Sequence, residues 1–228
     1  MILKGFQPTS TIDYPGNICS VLFTAGCNMK CPYCHNAMLA SNSSDLSEIP
    51  SDEIFKKLES RKNLIDGVCI TGGEPTIHKD LPLLIKKIKD MGLKVKLDSN
   101  GTNPEMLRQL IDEKLIDYIA MDIKQTLENY KQGCGVDIDT SKIQKSIDII
   151  KENKIPYEFR TTITPEVISK EDVLDIGELL NGSEQYSIQQ FIPAQVMFNK
   201  NLTLKYPIEE LVALQKELNK KIKKVNLK

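Results

Sequence analysis

Cys27, Cys31 and Cys34 lie within Gly26-Cys27-Asn28-Met29-Lys30-Cys31-Pro32-Tyr33-Cys34-His35-Asn36, directly after an apolar run from Ile18 to Thr24. Thiolates at these spacings can converge on one metal centre, and iron-sulfur clusters are held mainly by cysteine thiolates. Three such ligands on a cubane of four irons leave one iron open, as a catalytic zinc keeps one position free for chemistry. An open iron reads as a reaction site. Two other readings of the cysteines stand beside this one. His35 could complete a structural zinc knuckle as fourth ligand. A disulfide is disfavoured because no apolar signal segment precedes the motif and Cys19, Cys69 and Cys134 are scattered.

The elements that must position this loop come from a chain of 228 residues with 40% apolar content, enough for one core and for one domain over residues 1–228. Thirty basic residues against 31 acidic ones leave a formal charge of -1, which argues against a nucleic-acid or anionic-membrane surface. No apolar run is long enough to span a bilayer, and with reactive cysteines present the expected compartment is a reducing cytoplasm.

Apolar β-branched runs alternate with amphipathic helical stretches. The expected strands are Ile18–Thr24, Gly67–Thr71, Leu93–Leu97, Tyr118–Ile123, Tyr157–Ile163 and Ser187–Ile192. Helices are expected from about Ser51, as N-cap, to Arg61, from Asp80 to Met91 before Gly92, from Pro104, from Ser141 to Asn153 and from Ser169 to Leu180. Leu211, Leu214, Leu218 and Ile222 recur at helical intervals and predict a closing helix over Ile208–Val225. Six β/α units point to a parallel sheet, open or curved into a barrel, whose ligands gather at the carboxyl ends of the strands.

Those ends are polar or glycine-rich. They carry the cysteine loop, then Thr71-Gly72-Gly73-Glu74-Pro75, then Asp98-Ser99-Asn100-Gly101, then Asp122 and Lys124, then Arg160, then Gln189 and Gln190. Gly72 and Gly73 would let backbone approach a ligand, with Glu74 offering a carboxylate to an amine and Pro75 stiffening the exit. Alone, this stretch reads first as an ordinary tight turn. Lys124 can bind a carboxylate as a compact charge, and Asp98 and Asp122 can supply oxygens to a hard cation or a hydroxyl. Arg160 can simply pair with an acidic neighbour. His78 reads as a surface residue outside the site.

Taken together, the cysteine motif with Tyr33 before its last member, and Gly72-Gly73-Glu74-Pro75 after the next strand, resemble the radical S-adenosylmethionine superfamily over Gly5 to about Pro193. The opening Gly5-Phe6-Gln7-Pro8-Thr9-Ser10-Thr11-Ile12-Asp13-Tyr14-Pro15-Gly16 and Tyr33-Cys34-His35-Asn36 are similar to glycyl-radical-enzyme activases. The likeness is greatest to the activating proteins of anaerobic ribonucleoside-triphosphate reductase. Pyruvate formate-lyase activases share the same motifs, including Asp122-Ile123-Lys124.

The resemblance implies an α/β fold, a partial (β/α)6 TIM-like barrel with an N-terminal extension before the first barrel strand. It implies one 4Fe-4S cluster on Cys27, Cys31 and Cys34, and S-adenosylmethionine held by Tyr33, Gly72, Gly73, Glu74, Pro75, Asp98, Asn100 and Lys124. Tyr33 would lie beside the adenine, residues 72–75 would meet the methionine amino group and Lys124 its carboxylate. A monovalent cation would sit at Asp98 and Asp122. No residue is expected as a conventional acid or base, because the chemistry belongs to the cofactors. The implied partners are a glycyl radical enzyme and an electron donor such as flavodoxin or ferredoxin. Other readings are a radical enzyme acting on a small molecule or peptide, and an iron-sulfur electron-transfer or regulatory protein. Cys134 reads as an incidental thiol, in a loop from Gln125 to Asp139 that could order on partner binding.

Overall fold

The computed structural model describes all 228 residues. One sheet of eight strands runs in chain order: β1 (Leu3–Ser10), β2 (Cys19–Thr24), β3 (Gly67–Gly72), β4 (Lys94–Ser99), β5 (Tyr118–Asp122), β6 (Tyr157–Ile163), β7 (Gln185–Gln190) and β8 (Lys224–Leu227). Neighbours from β2 to β8 pair parallel and β1 pairs antiparallel with β2, so β1 and β8 are the open edges of a partial barrel. The helices are α1 (Ala37–Ala40), α2 (Ser51–Glu59), α3 (Leu81–Asp90), α4 (Pro104–Asp112), α5 (Tyr130–Cys134), α6 (Thr140–Glu152), α7 (Lys170–Leu179) and α8 (Ile208–Leu218), with a short 3-10 turn at Pro75–Ile77.

The six expected β/α units are present, and the sheet is wider than they are by one strand at each edge. The N-terminal extension is β1, whose Pro8 sits in an irregular stretch of the ladder between Gln7 and Ser10. An edge strand tolerates the missing N–H of proline, which is why this segment does not read as strand in sequence. At the other edge α8 stops at Leu218, and Val225 lies in β8 rather than in the helix. The Asn219 side chain accepts from the Val225 amide at 3.0 Å and closes the turn between them. Ile222 is buried within that turn, so helical spacing alone overstated the helix.

Helix starts follow local chemistry. Asn103 caps α4 by accepting from the Met106 amide, and Ser169 and Asp172 form a reciprocal capping box on α7. The expected cap at Ser51 is not formed: Pro50 occupies that position with no side-chain bond, and Ser51 is the first helical residue. Gly92 ends α3 with φ +80. The stretch from Gln125 to Asp139 contains α5.

The two faces of the sheet differ. Val95, Leu97, Ile119, Met121, Phe159 and Ile163 join a core of 49 buried residues under the helices. The inner face carries only a six-residue apolar cluster, Tyr14, Cys19, Val21, Cys69, Tyr118 and Ala120, so most of the lumen is left to polar groups. Tyr14 packs at a tilt against Tyr118 with ring centroids 6.0 Å apart. Because Ser10 pairs with Cys19 at the start of β2, Thr11–Gly16 lies at the amino ends of the strands, opposite the cysteine loop. No helix is long and apolar enough to cross a membrane.

Candidate active site

A cavity of about 240 Å³ opens at the carboxyl ends of the parallel strands. Its walls include Cys27, Cys31, Tyr33 and Cys34 after β2, Gly72, Gly73 and Glu74 after β3, Asp98 and Asn100 at β4, Asp122 and Lys124 at β5, Arg160 on β6 and Gln189 on β7. Of the predicted site residues Pro75 alone is absent from the walls; it is buried and opens the 3-10 turn.

The cysteine loop has almost no regular structure of its own. The Met29 amide donates to Cys27 Sγ at 3.4 Å, and Asn100 Nδ2 donates to the same sulfur at 3.8 Å and to Asn28 Oδ1 at 2.9 Å. Burial pushes the Cys27 thiol up to about 11 and Cys31 to about 12, while Lys124 acts on all three thiols in the opposite direction. All six cysteines are free. The His35 ring tilts against Phe191 and its Nε2 donates to the Ile192 carbonyl at 2.6 Å. No three His, Cys, Asp or Glu side chains are grouped tightly enough to ligate a single metal ion.

The glycines after β3 also pack closely against the chain itself. A Cβ on Gly72, whose φ is +110, would stand 2.6 Å from the Thr24 backbone, and one on Gly73 would stand 2.0 Å from the Gly26 carbonyl oxygen. Their close approach is therefore to the base of the cysteine loop, where Gly73 N donates to Thr24 O and Glu74 N to Gly26 O. Glu74 is held more firmly still. Its carboxylate is 1% exposed and accepts from the Thr76 amide and hydroxyl, the Ser99 hydroxyl at 2.9 Å and the Asn100 amide at 2.6 Å. It ties the end of β3 to the end of β4 from the wall of the cavity. Burial raises its pKa, and those four donors work against the rise.

The lumen floor is a row of alternating charges. Lys96 pairs with Asp98, Arg160 reaches Asp98 at 3.2 Å and Asp122 at 2.8 Å, and Lys124 Nζ lies 3.0 Å from Asp122. Burial opposes ionisation of Asp98 and Asp122, yet Arg160 with Lys96 or Lys124 outweighs it and holds both carboxyls below the ordinary range. Burial likewise opposes the charge on Lys124, and Asp122 overcomes it, so the ammonium is raised well above its usual value. Both carboxylates thus have cationic partners within the protein.

Lys124 is also held by its backbone. Tyr33, 4% exposed, donates its hydroxyl to the Lys124 carbonyl at 3.3 Å, and the Lys124 amide donates to Tyr130 Oη at 3.3 Å. Sequence reasoning missed Tyr130, Lys96 and His78, whose Nε2 donates to the Ala25 carbonyl at 2.9 Å just before the cysteine loop. Lys96 had a legible signal, the alternation of Lys94, Lys96 and Asp98 along a strand, which places all three on one face.

Residues 21–180 match the Radical SAM superfamily. The chain belongs to the radical S-adenosylmethionine enzymes. Within them it falls among the glycyl-radical-enzyme activating enzymes. It is 39% identical over 228 residues to a Methanocaldococcus jannaschii protein assigned as a glycyl-radical enzyme activating enzyme, covering 98% of this chain and 92% of the other. It is 27% identical to the pyruvate formate-lyase-activating enzyme of Staphylococcus epidermidis, covering 92% and 88%. The fold matches Streptococcus suis SuiB bound to S-adenosylmethionine with a TM-score of 0.67 at 16% identity, over 91% of this chain and 51% of that one. Radical S-adenosylmethionine enzymes carry a 4Fe-4S cluster and S-adenosylmethionine. Three thiols, the cavity beside them and a lysine ammonium facing it fit that pair of groups.

Proposed function

We propose that this oxidoreductase installs a glycyl radical on anaerobic ribonucleoside-triphosphate reductase. The observation that carries the reading is the placement of three free thiols and the Lys124 ammonium around one cavity at the carboxyl ends of the strands. When bound, the cluster and S-adenosylmethionine supply one-electron cleavage of a carbon-sulfur bond and the alkyl radical that takes hydrogen from a partner glycine.

The residues do the positioning. Cys27, Cys31 and Cys34 ligate the cluster, and Asn100 and the Met29 amide donate to the Cys27 sulfur, which favours the thiolate. Lys124 takes the carboxylate of S-adenosylmethionine, oriented by Asp122 and by the two tyrosine hydroxyls. Tyr33 lines the adenine side, and Gly72 and Gly73 meet the amino group with backbone. The charged floor supplies fixed dipoles in a site from which closure by the partner would exclude water. The electron comes from a flavodoxin- or ferredoxin-type donor.

Support for the reductase as target is the resemblance of the opening segment and of Tyr33-Cys34-His35-Asn36. The identity to a pyruvate formate-lyase-activating enzyme favours that lyase as a second reading. The test is electron paramagnetic resonance of the reconstituted, reduced protein with S-adenosylmethionine and either partner from the same source. A glycyl-radical doublet on the reductase, absent with Cys31→Ala, supports the first reading. A doublet on the lyase alone moves the target. No doublet on either and no 5'-deoxyadenosine would leave an electron-transfer protein.

A further inference from the structure

We propose that the turn from Tyr130 to Gly135 is a clasp that sets the separation between the cysteine loop and Lys124, with Tyr130, Gly133 and Gly135 as positioning residues. This rests on the reading of Lys124 as the residue that takes the carboxylate of S-adenosylmethionine.

The turn touches both parts through their backbones. On one side Tyr130 Oη accepts the Lys124 amide at 3.3 Å, and a Cβ on Gly133 would stand 1.9 Å from the Lys124 carbonyl oxygen. On the other side the Lys30 amide, between Cys27 and Cys31, donates to the Cys134 carbonyl at 2.8 Å. A Cβ on Gly135 would stand 2.2 Å from the Lys30 carbonyl oxygen. The two glycines, two positions apart, thus each admit one of the two backbones that the turn joins. Gly135 also has φ +75, which a side chain would strain. Tyr130 is 1% exposed and Cys134 fully buried, so the clasp is part of the packed interior. Tyr33 closes the circuit by donating from the cysteine loop to the Lys124 carbonyl.

The physical need is plain. A ligand bound at once to the cluster and to Lys124 is productive only while the two stay in register, and errors near 1 Å in such constellations are costly. The cysteine loop is irregular and cannot hold that register alone. Besides the clasp, its backbone is tied at its base, where Gly26 N donates to Leu39 O at 2.8 Å and Glu74 N to Gly26 O at 2.9 Å, and beyond Cys31, where Asn199 N donates to Pro32 O at 2.9 Å.

The test is Tyr130→Phe, which removes only the hydroxyl, beside Gly135→Ala, each reconstituted and compared with the wild-type holoenzyme. Iron content, affinity for S-adenosylmethionine per loaded cluster and the ligand-induced change in the resonance of the reduced cluster are measured. The clasp predicts that Tyr130→Phe keeps its iron and stays folded, with a small fall in melting temperature from the unpaired Lys124 amide, while affinity per cluster falls roughly tenfold and the resonance change is altered. A merely structural role would lower iron and melting temperature and leave affinity per loaded cluster unmoved. Unaltered affinity and resonance change in Tyr130→Phe overturn the clasp, as does unaltered binding in a folded Gly135→Ala. Failure of the wild-type holoenzyme to bind S-adenosylmethionine removes the underlying functional reading as well, and is seen before any variant is compared.

Discussion

Arg160 Nε donates to Asp122 Oδ1 at 2.8 Å, tying β6 to β5 at the floor of the cavity. The same guanidinium reaches Asp98 on β4, so one side chain neutralises two buried carboxylates. Arg160→Met leaves both without it. Truncating one partner of a buried ion pair costs about 3–5 kcal/mol, and that loss is expected in chemical denaturation. Adding Asp122→Asn to Arg160→Met should recover part of it; strictly additive losses would show that the pair is not coupled.

The same floor predicts acid lability. Asp98 and Asp122 titrate below the ordinary carboxylate value in the folded protein, so between that value and the depressed ones the unfolded chain binds more protons. Their contribution is fully present above about pH 4 and is lost as pH falls through the folded values. Denaturation midpoints followed from pH 6 to pH 2 should fall in that window. A flat profile there would contradict the ion-pair row.

Lys124→Ala should abolish high-affinity binding of S-adenosylmethionine and formation of 5'-deoxyadenosine, with about four irons per chain retained. Equilibrium binding to the reconstituted protein decides it. Unchanged affinity would remove the carboxylate role.

Gly73→Ala and Gly92→Ala make a contrasting pair. A Cβ at Gly73 meets the Gly26 carbonyl, which opens the cysteine loop, whereas Gly92 faces open space with φ +80. Gly92→Ala should cost about 1–2 kcal/mol in backbone strain and leave iron loading intact. Gly73→Ala should cost more and also reduce iron per chain, because relief of the clash moves the ligand loop. Equal iron loading in both would show that Gly73 does not support the loop.

Cys134→Ser separates the ligand cysteines from the rest. Its thiol is buried and donates to the Val136 carbonyl at 3.1 Å, outside the cavity walls, so iron content should match wild type while Cys31→Ala loses it.

Much of this protein was legible in one dimension. The spacing of Cys27, Cys31 and Cys34, the glycines after the second expected strand and the alternation of strands with helices are local patterns, set by ligand geometry and by the periods of regular backbone. They placed the cavity at the correct rim and named nearly all of its walls. What Glu74, Gly72, Tyr33 and Arg160 do there was decided by partners 25 to 91 residues away in sequence. Gly72 and Gly73 look the same in sequence whether they cradle a ligand or the chain's own Thr24 and Gly26. The edge strands β1 and β8 and the clasp around Tyr130 were likewise settled by pairing and burial, because Pro8, a run of lysines and a five-residue helix carry little periodic signal. Curvature of the sheet brings β4, β5 and β6 side chains into one charged row, and that curvature is a property of all the strands together rather than of any segment.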